Sequence, residues 1–102
     1  MGKQEGTQVD LPTAPLCIYV DVDGTLTELR GGDMQPNLAV VEQVRRWKAE
    51  GALLYCWSSR GAGYARRTAR QLRLEHCFEA FLCKPHLLVD DQSPQHWQLF
   101  LQ

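Results

Sequence analysis

Asp21 and Asp23 stand two residues apart at the close of the apolar run Leu16 to Val22, and Gly24 and Thr25 follow at once. On an extended strand, residues i and i+2 point to the same side, so both carboxylates would face one place. Two such groups about 4 Å apart repel by about 4 kcal/mol at an effective dielectric near 20, so a pair of them calls for a cation. The spacing also permits a division of labour. One carboxylate can attack phosphorus and become an aspartyl-phosphate, while the other protonates the leaving alcohol and later activates water. Asp-Gly is also an ordinary turn signal after a strand. Yet the four fixed positions of D-x-D-G-T, at about one in twenty each, arise by chance only about once in 10⁵ starts.

Further polar residues close the later apolar runs: Ser58 after Ala52 to Trp57, Lys84 after Ala80 to Cys83, and Asp90 with Asp91 after Leu87 to Val89. Four of the six aspartates thus fall at strand ends. Oxygen-only ligands select a hard ion, and Mg²⁺ prefers a few carboxylates, waters and a substrate phosphate to a complete protein cage. Lys84 adds a fixed positive charge and Ser58 a hydroxyl, and the Gly24 to Thr25 turn can aim backbone N–H groups at an anion. Cation, ammonium, hydroxyl and backbone donors around carboxylates describe a phosphoryl-transfer site.

The elements that must position these groups are legible as alternating strands and helices. Pro36 suits a first helical turn, Leu38, Val41, Val44 and Trp47 recur at helical spacing, and Gly51 closes the helix. Thr25 to Gly32 reads as a loop. A second helix after Gly61 should bury Tyr64, Ala65, Thr68, Ala69 and Leu72, leaving Arg66, Arg67, Arg70 and Arg73 outside. Pro94 to Leu101 reads as a short helix with Trp97 and Phe100 or Leu101 inward. Right-handed crossovers then predict an α/β, Rossmann-like open parallel sheet with helices on both faces, a three-layer α/β/α sandwich. Its ligand belongs beyond the carboxyl ends of the strands, where these polar residues lie.

In this order the residues resemble the haloacid dehalogenase superfamily, most of whose members are Mg²⁺-dependent phosphohydrolases. Val20-Asp21-Val22-Asp23-Gly24-Thr25-Leu26 is similar to its first motif and Trp57-Ser58-Ser59-Arg60 to its second. Lys84-Pro85 is similar to the third motif, and Leu87-Leu88-Val89-Asp90-Asp91 to the fourth. The resemblance implies Asp21 as nucleophile and Asp23 as general acid and base, with Ser58 and Lys84 holding the phosphate. It implies Gly24, Thr25, Ser59 and Arg60 as substrate contacts. Mg²⁺ would fall to the Asp21 carboxylate, the Asp23 carbonyl and Asp90, with Asp91 through water or in support. It also implies about four strands in the order 3-2-1-4. Lys84 precedes Asp90 by only six residues, so the helix that many members place there is missing. Nothing lid-sized follows Leu26 or Ser58 either. A capless, open site suits a bulky phosphorylated substrate or an oligomer that covers it.

The 102 residues make one domain at most, with 1–14 as a flexible lead-in and 15–102 as the folded part. A net charge of −1 lends no global field for nucleic acid or an anionic membrane. The stripe Arg66, Arg70 and Arg73 reads first as a solvated face and second as a grip on a polyanion, which keeps a polynucleotide-end phosphatase as an alternative. A phospho-accepting receiver or binding domain is the rival outside enzymes. His76, His86 and His96 lack metal-ligand spacing, and Cys17, Cys56, Cys77 and Cys83 read as reduced, mostly core residues. No apolar run is membrane-length and the start is polar, so a cytoplasmic setting with no membrane partner is expected.

Overall fold

Residues 15–93 are described by a computed structural model, and the lead-in 1–14 and the helix expected over 94–101 lie outside them. The order of elements is β1 (Cys17–Asp21), β2 (Thr27–Arg30), β3 (Asp33–Pro36), α1 (Leu38–Ala49), β4 (Leu53–Ser58), α2 (Ala62–Gln71), a 3₁₀ turn (Glu75–Cys77) and β5 (Phe78–Cys83). β1, β4 and β5 form one parallel sheet in the order β1-β4-β5. Its regular ladder between β1 and β4 sets Val20 beside Cys56 and Asp21 beside Trp57.

Alternation along the central strand explains the packing. Leu54, Cys56 and Ser58 are buried, whereas Leu53, Tyr55 and Trp57 face the other way and remain partly open. Val41 and Val44 of α1 and Ala65 and Ala69 of α2 join Leu54 and Cys56 in a single core, so both helices cover this one face. Successive crossovers that step across the sheet in one direction with the same right-handed turn must do this. The layer expected on the opposite face has no counterpart among the described residues. That face instead carries an aromatic row: Tyr19 stacks on Tyr55 at 5.1 Å and meets Trp57 edge-on at 4.9 Å.

Four further expectations change. Pro36 ends β3 and does not open α1; Asn37 caps the helix, its side-chain oxygen accepting from Val40 N. Leu38 then lies outside the core at 70% exposure, because the buried face begins only at Val41. Where a loop was expected, β2 and β3 form an antiparallel hairpin around Gly31 and Gly32, whose φ angles of +59° and +88° suit the paired glycines of a tight hairpin turn. Leu87 to Val89 do not extend the sheet as a fourth strand; they are irregular and exposed at 78, 50 and 88%. Three residues, set off from β5 by Lys84, Pro85 and His86, have too short a ladder to hold without a covering layer.

The β4 to β5 pairing contains one irregularity. Leu54 sits opposite Phe78 but Tyr55 opposite Ala80, so Glu79 is an extra residue on β5. Beyond it the ladder runs evenly to Ser58 opposite Cys83. No helix among the described residues is long and apolar enough to cross a membrane.

The cysteines separate by position. Cys56 and Cys77 are buried and Cys17 and Cys83 exposed, all four free. Burial first, and the nearby Asp21 charge second, push the Cys56 thiol up to about 12, and burial also raises Cys77. Alkylation with iodoacetamide near pH 8 should therefore add two groups to the native chain, at Cys17 and Cys83, and reach all four only in denaturant. Intact-mass analysis reads the count, and rapid native labelling of Cys56 would contradict this core.

Candidate active site

Parallel strands bring their carboxyl ends to one edge, and Asp21, Ser58 and Lys84 meet there because they end or follow β1, β4 and β5. The N–H of Lys84 donates to the Ser58 carbonyl at 2.9 Å, which ties the third strand end to the second. Lys84 Nζ lies 3.9 Å from Asp21 Oδ1. Asp23, just past β1, has its own cation, with Arg60 Nη1 3.5 Å from Oδ2. Two acids and two bases therefore share this edge, and each acid is neutralised by a residue from a different strand end.

Val22 shapes the turn beneath them. Its carbonyl accepts from Thr25 N at 3.0 Å and Thr27 N at 3.1 Å, and Gly24 N donates to the Thr27 carbonyl at 2.8 Å. Gly24 has φ +84°, at the third position of the turn, where glycine is favoured. The N–H groups of Gly24 and Thr25 are thus spent inside the turn. These residues set the course of the loop, and the expectation that they aim donors at an anion does not hold in this geometry. The Asp23 carbonyl, by contrast, accepts no main-chain hydrogen bond among the described residues.

Ser58 is buried at 2%, and its Oγ accepts from Arg60 N at 3.0 Å, closing the β4 to α2 turn. Among the described residues the hydroxyl donates to no partner. Ser59 is exposed in the same turn. Gly61 then starts α2 at φ +105° with no side-chain cap, so the first-turn N–H groups of that helix find no partner from its N-cap side chain. Their dipole favours an anion at this edge.

Tyr64 was expected only as a core residue. It is half-buried, but its hydroxyl donates to Asp23 Oδ1 at 2.6 Å, and Arg60 lies over its ring at 4.3 Å from the centroid. That bond to Asp23, more than burial, lifts the Tyr64 hydroxyl above its ordinary range. Helical spacing marked the ring as inward and said nothing of the hydroxyl at its tip; the only clue was its place four residues after Arg60.

Asp90 and Asp91 lie in the exposed segment after β5, where Asp91 N donates to Asp90 Oδ1 at 2.7 Å. Among the described residues no three acidic, histidine or cysteine side chains converge on one metal position. The donor chemistry of Asp21 and the Asp23 carbonyl suits a hard cation, but the fourth apolar run does not bring Asp90 and Asp91 to them here.

The arginine stripe is neutralised only in part, by the single carboxylate of Glu75. Arg70 makes a two-pronged pair with Glu75 at 3.0 and 3.1 Å, and Arg66 reaches the same carboxylate at 3.6 Å while lying over Phe81. Arg73 has left the helix in a left-handed conformation at φ +60°. These pairs, Arg70 first, hold the Glu75 carboxyl below its usual range. His86 is exposed, and His76 lies on a shallow surface with Arg70, Arg73 and Glu75, away from the strand ends. An open groove of about 290 Å³ runs between the β2–β3 hairpin and α2, with Tyr64 and Thr27 in its wall.

No family model matches the chain, and neither a curated protein nor a solved structure matches it.

Proposed function

We propose that this edge is the active site of a Mg²⁺-dependent phosphatase of the haloacid dehalogenase type, hydrolysing a phosphate monoester through an aspartyl-phosphate. The observation that carries the reading is the pairing of two strand-end carboxylates with separate cations, Asp21 with Lys84 and Asp23 with Arg60, at the carboxyl edge of a parallel sheet. Asp21 attacks phosphorus, and the bond from phosphorus to the leaving oxygen breaks as Asp23 gives that oxygen a proton. Asp23 then takes a proton from water, whose oxygen attacks the same phosphorus and restores the Asp21 carboxylate. Lys84, the first-turn N–H groups of α2 and the Ser58 hydroxyl offset charge on the phosphoryl oxygens. Mg²⁺, held by the Asp21 carboxylate and the Asp23 carbonyl, with Asp90 and Asp91 as further ligands, would neutralise the remainder when bound.

The same reading completes the fold. Leu87 to Val89 would add to the free edge of β1, giving the order 3-2-1-4 and carrying Asp90 and Asp91 toward Asp21. A third layer would then cover the aromatic row. The open mouth, with the Asp21 and Asp23 side chains 31 and 38% exposed, suits a phosphate on a bulky molecule or a site roofed by a second copy. With Arg66 and Arg70 sharing Glu75, the stripe offers a polynucleotide less charge, and a small-molecule phosphate is the favoured substrate. A cytoplasmic setting fits such a substrate.

Purified protein incubated with Mg²⁺ and p-nitrophenyl phosphate, then with a panel of phosphate esters, should release phosphate and form a hydroxylamine-sensitive phosphoenzyme. Absence of turnover on every ester would end the reading. A phosphoenzyme whose lifetime is the same in Asp23→Asn would favour a receiver, because a lasting signal needs no acid and base beside the nucleophile.

A further inference from the structure

The bond from Tyr64 to Asp23 spans 41 positions in sequence. Every other side-chain to side-chain hydrogen bond among the described residues joins groups five or fewer apart. It is therefore the one such bond that ties a helix to a strand end, and it does so at the residue assigned the proton transfers. An aspartate carboxylate that is 38% exposed turns readily about its terminal torsion. A proton donor acts only when its oxygen is held within about 3 Å of the leaving group, so something must arrest that rotation.

We propose that Tyr64 is a positioning residue for Asp23: its hydroxyl fixes one carboxylate oxygen and Arg60, laid across its ring, fixes the other. The inference rests on the phosphatase reading above. The geometry forms a closed triangle. Tyr64 Oη lies 2.6 Å from Oδ1, Arg60 Nη1 lies 3.5 Å from Oδ2, and Arg60 Nη1 lies 3.4 Å from Tyr64 Oη. A carboxyl oxygen that bears no proton only accepts, so the tyrosine donates to Oδ1, and the proton that Asp23 transfers belongs on Oδ2. Each corner is anchored elsewhere. The Arg60 backbone is held by Ser58 Oγ, Tyr64 is carried on the first turn of α2 beside fully buried Ala65, and Asp23 follows buried Val22. A path of direct contacts thus runs from the end of β4 through Arg60 and Tyr64 to the acid.

A tyrosine that merely packs would behave differently from one that aims a carboxylate, and Tyr64→Phe separates the two, because it keeps the ring and the arginine stack and deletes only the hydroxyl. Proton donation matters most for a poor leaving group. For an alkyl phosphate, kcat/KM, which reports only the steps up to departure of the alcohol, should fall about 10- to 100-fold, whereas for p-nitrophenyl phosphate, whose leaving group departs without a proton, it should fall only about two- to threefold. In an Asp23→Ala background, Tyr64→Phe should cost nothing more on the alkyl ester. Equal losses on both esters, or independent losses in the double variant, would overturn the proposal. A second arm needs no activity: urea midpoints of Tyr64→Phe, Asp23→Ala and the double variant should be non-additive, and additive midpoints would show that the contact is absent. If the midpoints are coupled but the wild type hydrolyses no ester, the phosphatase reading fails and the positioning role falls with it. Coupled midpoints with equal ester losses would overturn the positioning role alone.

Discussion

Asp21→Asn should lower kcat for any phosphate ester by at least about 10⁴-fold and leave no hydroxylamine-sensitive phosphoenzyme. Asparagine matches aspartate in shape, so the strand end keeps its form, but its amide is no nucleophile and the first bond to phosphorus cannot form. The substitution should leave stability almost untouched. The partner Lys84 is 3.9 Å away and both side chains are partly open, and such pairs are worth about 0 to 1 kcal/mol. Loss of turnover with an unchanged thermal midpoint is the expected signature, measured by phosphate release and differential scanning fluorimetry on one preparation. Activity within tenfold of wild type would remove Asp21 from the chemistry.

The largest expected effect on stability lies on the opposite side of the central strand. Leu54 is fully buried, sits on the middle strand of three, and shares the core with Val44, Ala65 and Ala69. Leu54→Ala removes buried methyl groups and leaves a cavity that strands bonded on both sides cannot collapse to fill, at a cost of about 3 kcal/mol. For a domain of this size that is about 10 to 20 °C of melting temperature, a large share of what so small a core supplies. Leu53→Ala is the control: the neighbouring residue points to the open face at 38% exposure and should cost far less. Similar losses from both would mean that the two faces of the sheet are packed alike.

Most of the framework was legible because it rests on buried apolar patterns. The run read as Ala52 to Trp57 became β4, displaced by one residue, and Val41, Val44, Ala65, Thr68 and Ala69 are buried as their spacing required. The hairpin was not legible in that way. β3 is exposed along its whole length and β2 buries little beyond Thr27, so no alternation marked either, and only the glycine pair at 31 and 32 carried a signal. The fourth strand, which the described residues do not form, was suggested for the converse reason. Leu87, Leu88 and Val89 are apolar enough for a strand, yet hydrophobicity gives a tendency to be covered and does not say what provides the cover.

At the site, residue types and strand-end positions anticipated that Asp21, Ser58 and Lys84 would share one edge, since parallel topology gathers the strand ends, whereas the side from which Lys84 approaches is set by register. What the turn does with Gly24 and Thr25 depends on which carbonyls lie in reach, and a run of letters does not contain that. Tyr64 was hidden for a related reason. An amphipathic side chain has two ends, and helical periodicity reports only the apolar one.

The extra residue at Glu79 bears on the lysine. In an unbroken ladder Ser58 would sit beside Leu82, and Lys84 would reach the carboxyl edge one step later with its stem on the other side of the sheet. A single inserted position upstream thus reverses the lysine's orientation and aims its ammonium at Asp21. The spacing from β5 to the strand-end edge should for that reason tolerate no one-residue deletion, even though Glu79 itself lies on the surface.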